Sequence, residues 1–150
     1  MASKIVGDIK ALKKLVTSLD KNVTKEAKCC IKENAEQVKE DVQTTIKSQT
    51  GNWKPLDSDT IKEKAHSKIL LDTGQLVNSI SVTEMGDTYV VSPKGTHTGG
   101  ISNSELAKLH EYGTENMPPR PIFRPIYNEY VKTVPKEVSD VVLKEIKKFK

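Results

Sequence analysis

Apolar residues recur every three or four positions along the first third of the chain. They are Ile5, Ile9, Leu12, Val16, Leu19, Val23, Ala27, Ile31, Ala35, Val38, Val42 and Ile46. This spacing is typical of one face of an α-helix. It predicts either one long amphipathic helix or two helices broken near Ser18 to Asp20, where either end residue can cap a new start. An isolated helix gains little stability from propensity alone, so the apolar face must pack on this domain's sheet or on a neighbouring subunit.

The other end of the chain predicts a second long helix. Its apolar positions are Ile126, Tyr130, Val134, Val138, Val141 or Val142, Ile146 and Phe149. Pro125 suits the first turn, and Pro135 predicts a kink. The preceding proline-rich stretch, residues 117–125, predicts a stiff connector that places Ile122 and Phe123 in the core.

Between these helices, residues 77–84 and 88–92 alternate as strands do, and Met85, Gly86 and Asp87 predict the turn of a hairpin. Short helices are predicted from Ser58 or Asp59 to Lys64 and from Glu105 to Tyr112. Ser102 or Ser104 would cap the second, Gly113 would end it, and Leu106, Leu109 and Tyr112 would face inward. Residues 93–100 hold three glycines and predict a flexible loop.

These elements predict an α+β fold, with a small antiparallel sheet packed by a long amino-terminal helix and a carboxy-terminal helix. At 150 residues the chain suits one domain. Within it we distinguish a helical arm (1–48), a core that carries the motifs (50–125) and the carboxy-terminal helix (126–150).

Composition and charge limit the classes of function that this chain could have. Aromatic residues make up only 5% of the chain, so the core must rely on Ile, Leu and Val, and a thin core favours oligomers. The net charge of +4 divides into +3, −1 and +2 over successive fifties, which gives no basic stripe for gripping DNA. Cys29 and Cys30 are adjacent, and we expect reduced thiols. No stretch resembles a signal peptide or a membrane span, so we expect no membrane partner and assembly in the cytoplasm.

Asp72-Thr73-Gly74 follows an apolar run and allows two interpretations. It is similar to the active-site triplet of dimeric retroviral-type aspartic proteases, in which two carboxylates share a proton. Alternatively, Asp72 or Thr73 caps a short helix, with Gln75 completing a capping box and Leu76 beginning the buried face. The protease needs later glycines, yet none follows Gly113.

Metal and cofactor sites have no sequence support. His110-Glu111 invites metal or acid–base chemistry, but neither His66 nor His97 has ligand spacing to His110. We therefore expect no catalytic residue, no metal and no cofactor. Trp53, the only tryptophan, is expected to anchor the core or an interface.

Three segments together resemble the tail-completion and virion-morphogenesis proteins of tailed bacteriophages, which include Mu-type morphogenesis and siphophage tail-component proteins. Residues 53–56 (Trp-Lys-Pro-Leu) resemble the family's Trp-x-Pro-Leu. Residues 71–80 resemble its Asp-Thr-Gly-x-Leu-x-x-Ser-Ile. Residues 106–125 resemble its His-Glu-Phe/Tyr-Gly-Thr followed by Pro-x-Arg-Pro-Phe-Leu-x-Pro, with Ile122-Phe123 where Phe-Leu is usual.

The resemblance implies a non-enzymatic virion protein at the head-to-tail interface, a hexameric ring around the channel through which DNA passes without specific binding. Its partners would be copies of itself, a head-side connector or stopper protein, and a tail-side terminator or tube protein. A tail terminator and a DNA-associated neck or packaging factor are the alternatives, and a protease using Asp72 is the remote one. The signature positions, interpreted as structural, are Trp53, Pro55, Leu56, Asp72, Thr73, Gly74, Leu76, Ser79, Ile80, His110, Glu111, Tyr112, Gly113, Pro119, Arg120, Pro121, Phe123 and Pro125.

Overall fold

A computed structural model describes residues 9–148 and has the α+β fold, mostly helical. The elements in chain order are α1 (Ile9–Ser48), α2 (Ser58–Lys64), α3 (Gln75–Ser79), β1 (Ile80–Met85), β2 (Thr88–Pro93), α4 (Asn103–Tyr112) and α5 (Phe123–Lys147). The two strands form one antiparallel sheet, α1 packs on this sheet, and α5 packs on α1. The predicted fold class is confirmed.

Helix α1 runs without interruption through 40 residues, so the alternative of a break near Ser18 to Asp20 is wrong. The predicted apolar face is buried in its second half, where Ala35, Val42 and Ile46 enter the core. Ile5 and the side chain of Ile9 lie outside the described residues. The helix therefore has a packed half and an outer half, and only the packed half belongs to the core.

The end of α1 is fastened by the side chain of Gln49. This residue adopts a left-handed backbone with φ of 57°. Its amide Nε2 donates to the Ile69 carbonyl at 2.9 Å, and its Oε1 accepts from the Ile69 N–H at 2.7 Å. The amide thus pairs with one residue as a neighbouring strand would, and it holds the segment after α2 against α1.

Helix α5 lies antiparallel to α1. Asp41 Oδ2 accepts from the Tyr130 hydroxyl at 2.7 Å, and Asn34 Nδ2 donates to Glu137 Oε2 at 3.0 Å. The helix continues through Pro135. Ile146, one of the apolar positions of the predicted helix, is exposed, while Glu145 beside it is buried and bonded to Lys148. Phe149 lies outside the described residues.

The hairpin is shorter at its start than predicted. Ile80 pairs with Pro93 and Met85 with Thr88, which leaves Gly86 and Asp87 as the turn. Residues 77–79 are helical rather than extended, because Gly74 turns the chain with φ of 79° and starts α3. The hairpin therefore begins only after Val77 has entered the core.

The core sits where the inner half of α1 meets α3, β1, α4 and the start of α5. Its buried residues are Val42, Ile46, Ile69, Leu70, Leu76, Val77, Ile80, Ala107 and Ile122, with Trp53, Leu56 and Phe123 packed against them. Placement of Ile122 and Phe123 in or against the core is confirmed, as is helix α2. Aliphatic residues supply this core, in keeping with the low aromatic content.

Helix α4 begins where Ser102 Oγ accepts from the Glu105 N–H at 3.1 Å, so the capping prediction is confirmed for Ser102. The predicted inward face is wrong for Tyr112 and Leu109, which are exposed, whereas Leu106 is half-buried. The buried face is Asn103, Ala107 and Glu111, because Asn103 and Glu111 bond to backbone groups of neighbouring segments.

The segment predicted as a flexible loop is tied by backbone hydrogen bonds. His97 N–H donates to the Ile101 carbonyl at 2.8 Å, and Asn103 N–H donates to the Gly95 carbonyl at 3.0 Å. Asn103 Nδ2 also donates to the Lys94 carbonyl at 2.8 Å. These bonds connect the segment to the start of α4.

Candidate assembly surface

Glu111 joins the end of α4 to the start of α5. Its Oε2 accepts from the N–H groups of Ile122 at 2.7 Å and Phe123 at 3.1 Å, and its Oε1 accepts from Arg124 N–H at 2.9 Å. The first N–H groups of a helix lack partners within the helix, and Ile122 at the cap position has no side chain that could accept from them. Glu111 is therefore a helix cap supplied by another helix, and its carboxylate is fully engaged.

Gly113 allows the turn that follows α4. Its φ is 76°, and its N–H donates to the Leu109 carbonyl at 2.8 Å. A Cβ at this position would lie 2.8 Å from both the Met117 carbonyl oxygen and the Pro119 nitrogen. The left-handed backbone and this close approach both require glycine here.

Trp53 connects the first motif to the last. Its indole Nε1 donates to the Pro121 carbonyl at 2.9 Å, and its ring packs against the core. Leu56 packs there as well, while Pro55 is exposed. The first and third motifs therefore meet in space, although 68 residues separate Trp53 from Pro121.

The Asp72-Thr73-Gly74 triplet lies at the surface before α3. Gly74 is the cap residue, and Thr73 Oγ1 accepts from the N–H of Gln75, the first residue of α3, at 3.4 Å. The side chain of Gln75 does not point back to the cap, so the predicted capping box is wrong. Gln75 Oε1 instead accepts from the hydroxyl of Thr98 at 2.6 Å. Asp72 is exposed, with His66 Nε2 3.9 Å from its Oδ1. Gly74 therefore supplies the turn into α3, and Thr73 rather than Asp72 accepts from the first turn.

The rest of this motif supports the core. Leu76 and Ile80 are buried, and Ser79 Oγ donates to the Leu76 carbonyl at 2.7 Å. Gln43 on α1 donates through Nε2 to the Val77 carbonyl at 3.0 Å. The motif is therefore fixed to α1 by a polar contact that sequence inspection missed, because a glutamine in a helical pattern is normally solvated.

The half-buried His110 and the buried Arg120 lie beside this joint. The Arg120 N–H donates to the His110 carbonyl at 2.7 Å. Arg120 is only 6% exposed, and neither its Nε nor His110 Nδ1 has a hydrogen-bond partner within the described chain. Burial, followed by the positive charges of Arg120 and Lys64, lowers the pKa of His110 to about 4. The imidazole is consequently neutral at physiological pH.

An open groove of about 720 Å³ runs between α1, β2 and α5. Its walls are mainly apolar and aromatic, and they include Ala35, Val38, Val90, Tyr112, Tyr127 and Val131. Tyr112 and Tyr127 expose 64% and 63% of their surface. The guanidinium of Arg124 lies 5.0 Å from the centre of the Tyr112 ring, a cation–π distance. We call this surface the groove; its exposed aromatic residues are typical of protein–protein contacts.

A second apolar surface lies on the outer half of α1. The contacts of Asp41 with Tyr130 and of Asn34 with Glu137 set a residue-for-residue antiparallel stagger. By that stagger α5, which ends at Lys147, reaches about residue 24 of α1. The hairpin tip lies close to the same place, since Lys28 Nζ is 2.6 Å from Asp87 Oδ1. Residues 9–23, the outer part of the predicted helical arm, extend beyond both. From here on we call only these residues the arm.

Other site chemistries find little support in the described part of the chain. No group of three or more His, Cys, Asp or Glu side chains within residues 9–148 is placed to hold a metal ion. Cys29 is exposed, Cys30 is half-buried, and neither forms a disulfide. Within the same range, no helix combines the length and apolar character of a membrane span.

Comparison with known proteins found no matching family model, no similar curated protein and no similar solved structure.

Proposed function

We propose that this protein is a non-enzymatic component of a tailed-bacteriophage virion that joins head to tail as a ring around the DNA channel. The observation that carries the proposal is the pair of exposed apolar surfaces, the groove and the arm, on one small domain. Monomeric proteins rarely expose contiguous apolar surface on this scale, whereas subunits of assemblies do.

The roles of the motif residues support the same proposal. Glu111 caps α5, Gly113 allows a turn that a side chain would obstruct, and Trp53 bonds to the Pro121 carbonyl. A carboxylate that accepts three backbone N–H groups is a poor candidate for a general base. The motifs that resemble the phage proteins therefore build a joint between elements, as expected of a structural protein.

The channel role agrees with the charge distribution. The net charge of +4 is the sum of +3, −1 and +2 over successive fifties, so no part of the chain would give a ring a strongly basic lining. Such a wall lets DNA pass without retaining it. We propose a head-side connector or stopper and a tail-side terminator or tube protein as the docking partners, with the virion neck as the location.

Electron microscopy of lysates tests this proposal directly. The gene is interrupted in a phage that carries it, and wild-type protein is supplied from a plasmid in a parallel culture. DNA-filled heads beside separate tails, corrected by the plasmid, are the expected result. Tails of irregular length would assign the chain to the tail-terminator role. Intact virions without the gene would refute a structural role.

One matched variant tests the enzyme alternative. Supply of Asp72→Asn should restore virions as well as wild type does, because the exposed Asp72 has no capping bond to lose. An aspartic protease would lose activity with this change. Failure of well-folded Asp72→Asn to restore assembly would therefore favour the protease.

A further inference from the structure

We propose that the arm of one subunit binds in the groove of a neighbouring copy of the same chain. This inference rests on the ring proposed above and assigns its contact surfaces. Both partners are defined by residues of this chain, so the contact can be tested with the protein alone.

The arm carries an apolar stripe that lacks cover. Leu12 and Val16 expose 59% and 57% of their surface, and Leu15 is similarly exposed. With Leu19 and Val23 these residues follow the spacing i, i+3, i+4, i+7 and i+11, which places them along one side of the helix. An amphipathic helix of this kind binds by laying its apolar side in a hydrophobic groove.

The arm cannot reach the groove of its own subunit. Ile31 lines the groove and belongs to the same continuous helix as Leu12. The 19 residues between them span about 28 Å at a rise of 1.5 Å per residue, and an unbroken helix cannot fold back. The occupant must therefore come from another molecule.

The two surfaces match in length. Along α5 the groove extends from Phe123 to Pro135, which is about 18 Å of helix. The stripe from Leu12 to Val23 covers about 16 Å by the same rise. One helix of the arm's length therefore fills the groove from end to end.

Charge favours the same pairing. The two charged residues in the groove wall are already engaged, Glu111 by backbone N–H groups and Arg124 by the Tyr112 ring. The apolar stripe of the arm can therefore enter the groove without burying an unpaired charge.

Asp41 and Glu137 lie beside the groove, close to Tyr130. Within the described chain both accept hydrogen bonds from neutral side chains, Asp41 from Gln37 and Tyr130, and Glu137 from Asn34. Burial and the Asp41 bond raise the pKa of Tyr130 to about 12, with a further contribution from Glu137. Lys13 flanks the apolar stripe of the arm and is of opposite sign to these carboxylates, whereas Lys14 and Lys21 lie on the far side of the helix.

The contact has a direction, which determines the kind of assembly. Each subunit offers an arm to one neighbour and a groove to the other, so the interface joins two different surfaces. Such head-to-tail contacts close into rings when the rotation between subunits permits, whereas contacts between identical surfaces stop at dimers.

Three charge substitutions in the full-length protein test the proposal. Val16→Glu changes the arm and Val131→Glu changes the groove, and both side chains are exposed, so neither change disturbs the core. Met85→Glu at the exposed hairpin end is the matched control. Far-UV circular dichroism verifies folding, and sedimentation velocity measures the oligomeric state.

We expect rings from wild type and Met85→Glu, and at least a tenfold weaker association from each of the other variants, because a carboxylate would enter an apolar contact. Mixing is decisive. Val16→Glu keeps an intact groove and Val131→Glu an intact arm, so an equimolar mixture should form one-to-one heterodimers that neither variant forms alone.

Three outcomes would overturn the inference. The first is rings from Val16→Glu or Val131→Glu equal to those of wild type, and the second is the absence of heterodimers in the mixture. Either would leave the ring proposal standing with other contact surfaces. The third is monomeric wild type at about 0.1 mM, well above the Kd of a weak contact. It would remove the arm contact, while the lysate experiment judges the virion role separately.

Discussion

Replacement of Glu111 by Ala should destabilise the fold more than any surface change, because it removes the cap of α5. The carboxylate accepts from Ile122, Phe123 and Arg124. Each hydrogen bond to a charged acceptor contributes about 1.5 to 3 kcal/mol. Ile122 is buried and Phe123 half-buried, so water replaces those bonds poorly, whereas the exposed Arg124 can rehydrate. Two lost bonds give a decrease in unfolding free energy of about 3 to 6 kcal/mol.

Glu111→Gln refines the test, since it retains one carbonyl oxygen but loses the charge that favours a helix N-terminus. We expect a decrease of about 1.5 to 3 kcal/mol, between wild type and the alanine variant. Glu115→Ala, an exposed carboxylate four residues away, is the control and should stay within about 0.5 kcal/mol of wild type.

The assay is urea unfolding followed by far-UV circular dichroism at one protein concentration, because association changes apparent stability. A Glu111→Ala variant within about 0.5 kcal/mol of wild type would refute the capping role. A loss as large in Glu115→Ala would show that net charge, not the cap, is responsible.

The remaining predictions concern three further positions. Gly113→Ala should lower the unfolding free energy by about 2 kcal/mol or more, because a Cβ there meets backbone atoms in a left-handed turn; the open Gly99→Ala, measured alongside, should not. The pKa of His110 lies near 4, below its ordinary 6.5, so its stabilising effect is complete above pH 6.5 and is lost as the pH falls toward 4. Wild type should therefore lose stability relative to His110→Gln across that window, at up to about 1.4 kcal/mol per pH unit, and parallel pH profiles would contradict this. Asp72→Asn should shift the unfolding free energy by less than about 0.5 kcal/mol, and a larger loss would reveal a structural role for the carboxylate.

The long helices were predictable from sequence because their signal is periodic and repeated many times. Val42 and Ile46 repeat a spacing that only a helix buries on one side. The same periodicity does not show how much of the helix packs against other elements. The exposed Leu12 and the buried Val42 look alike in sequence, since coverage depends on where α5 ends.

The joint between α4 and α5 was not predictable in detail. Helical spacing in α4 places Leu106 and Leu109 on one side and Ala107 and Glu111 on another, and apolar character favours the leucines. The structure buries Glu111, because three unpartnered N–H groups of α5 lie within its reach. Such a contact depends on tertiary geometry, and the available signal was a carboxylate two residues before the glycine that ends α4.

The α3 region shows a different limit. Asp72, Thr73 and Gln75 together satisfy the pattern of a capping box, yet Gly74 is the cap residue, and of the three side chains only Thr73 accepts from a first-turn N–H. The residue between two capable side chains was therefore decisive, because only glycine adopts its left-handed conformation without strain.

The antiparallel packing of α1 against α5 also determines when the two helices can meet during synthesis of the chain. The Tyr130–Asp41 hydrogen bond joins residues 89 positions apart. At about 5 to 20 residues per second, a ribosome needs about 4 to 18 s to synthesise that interval. Throughout it, the apolar side of α1 has been translated and its partner helix has not. Packing of α5 on α1 must therefore wait for the last part of the message, although α3 and the hairpin, which also pack on α1, are translated earlier.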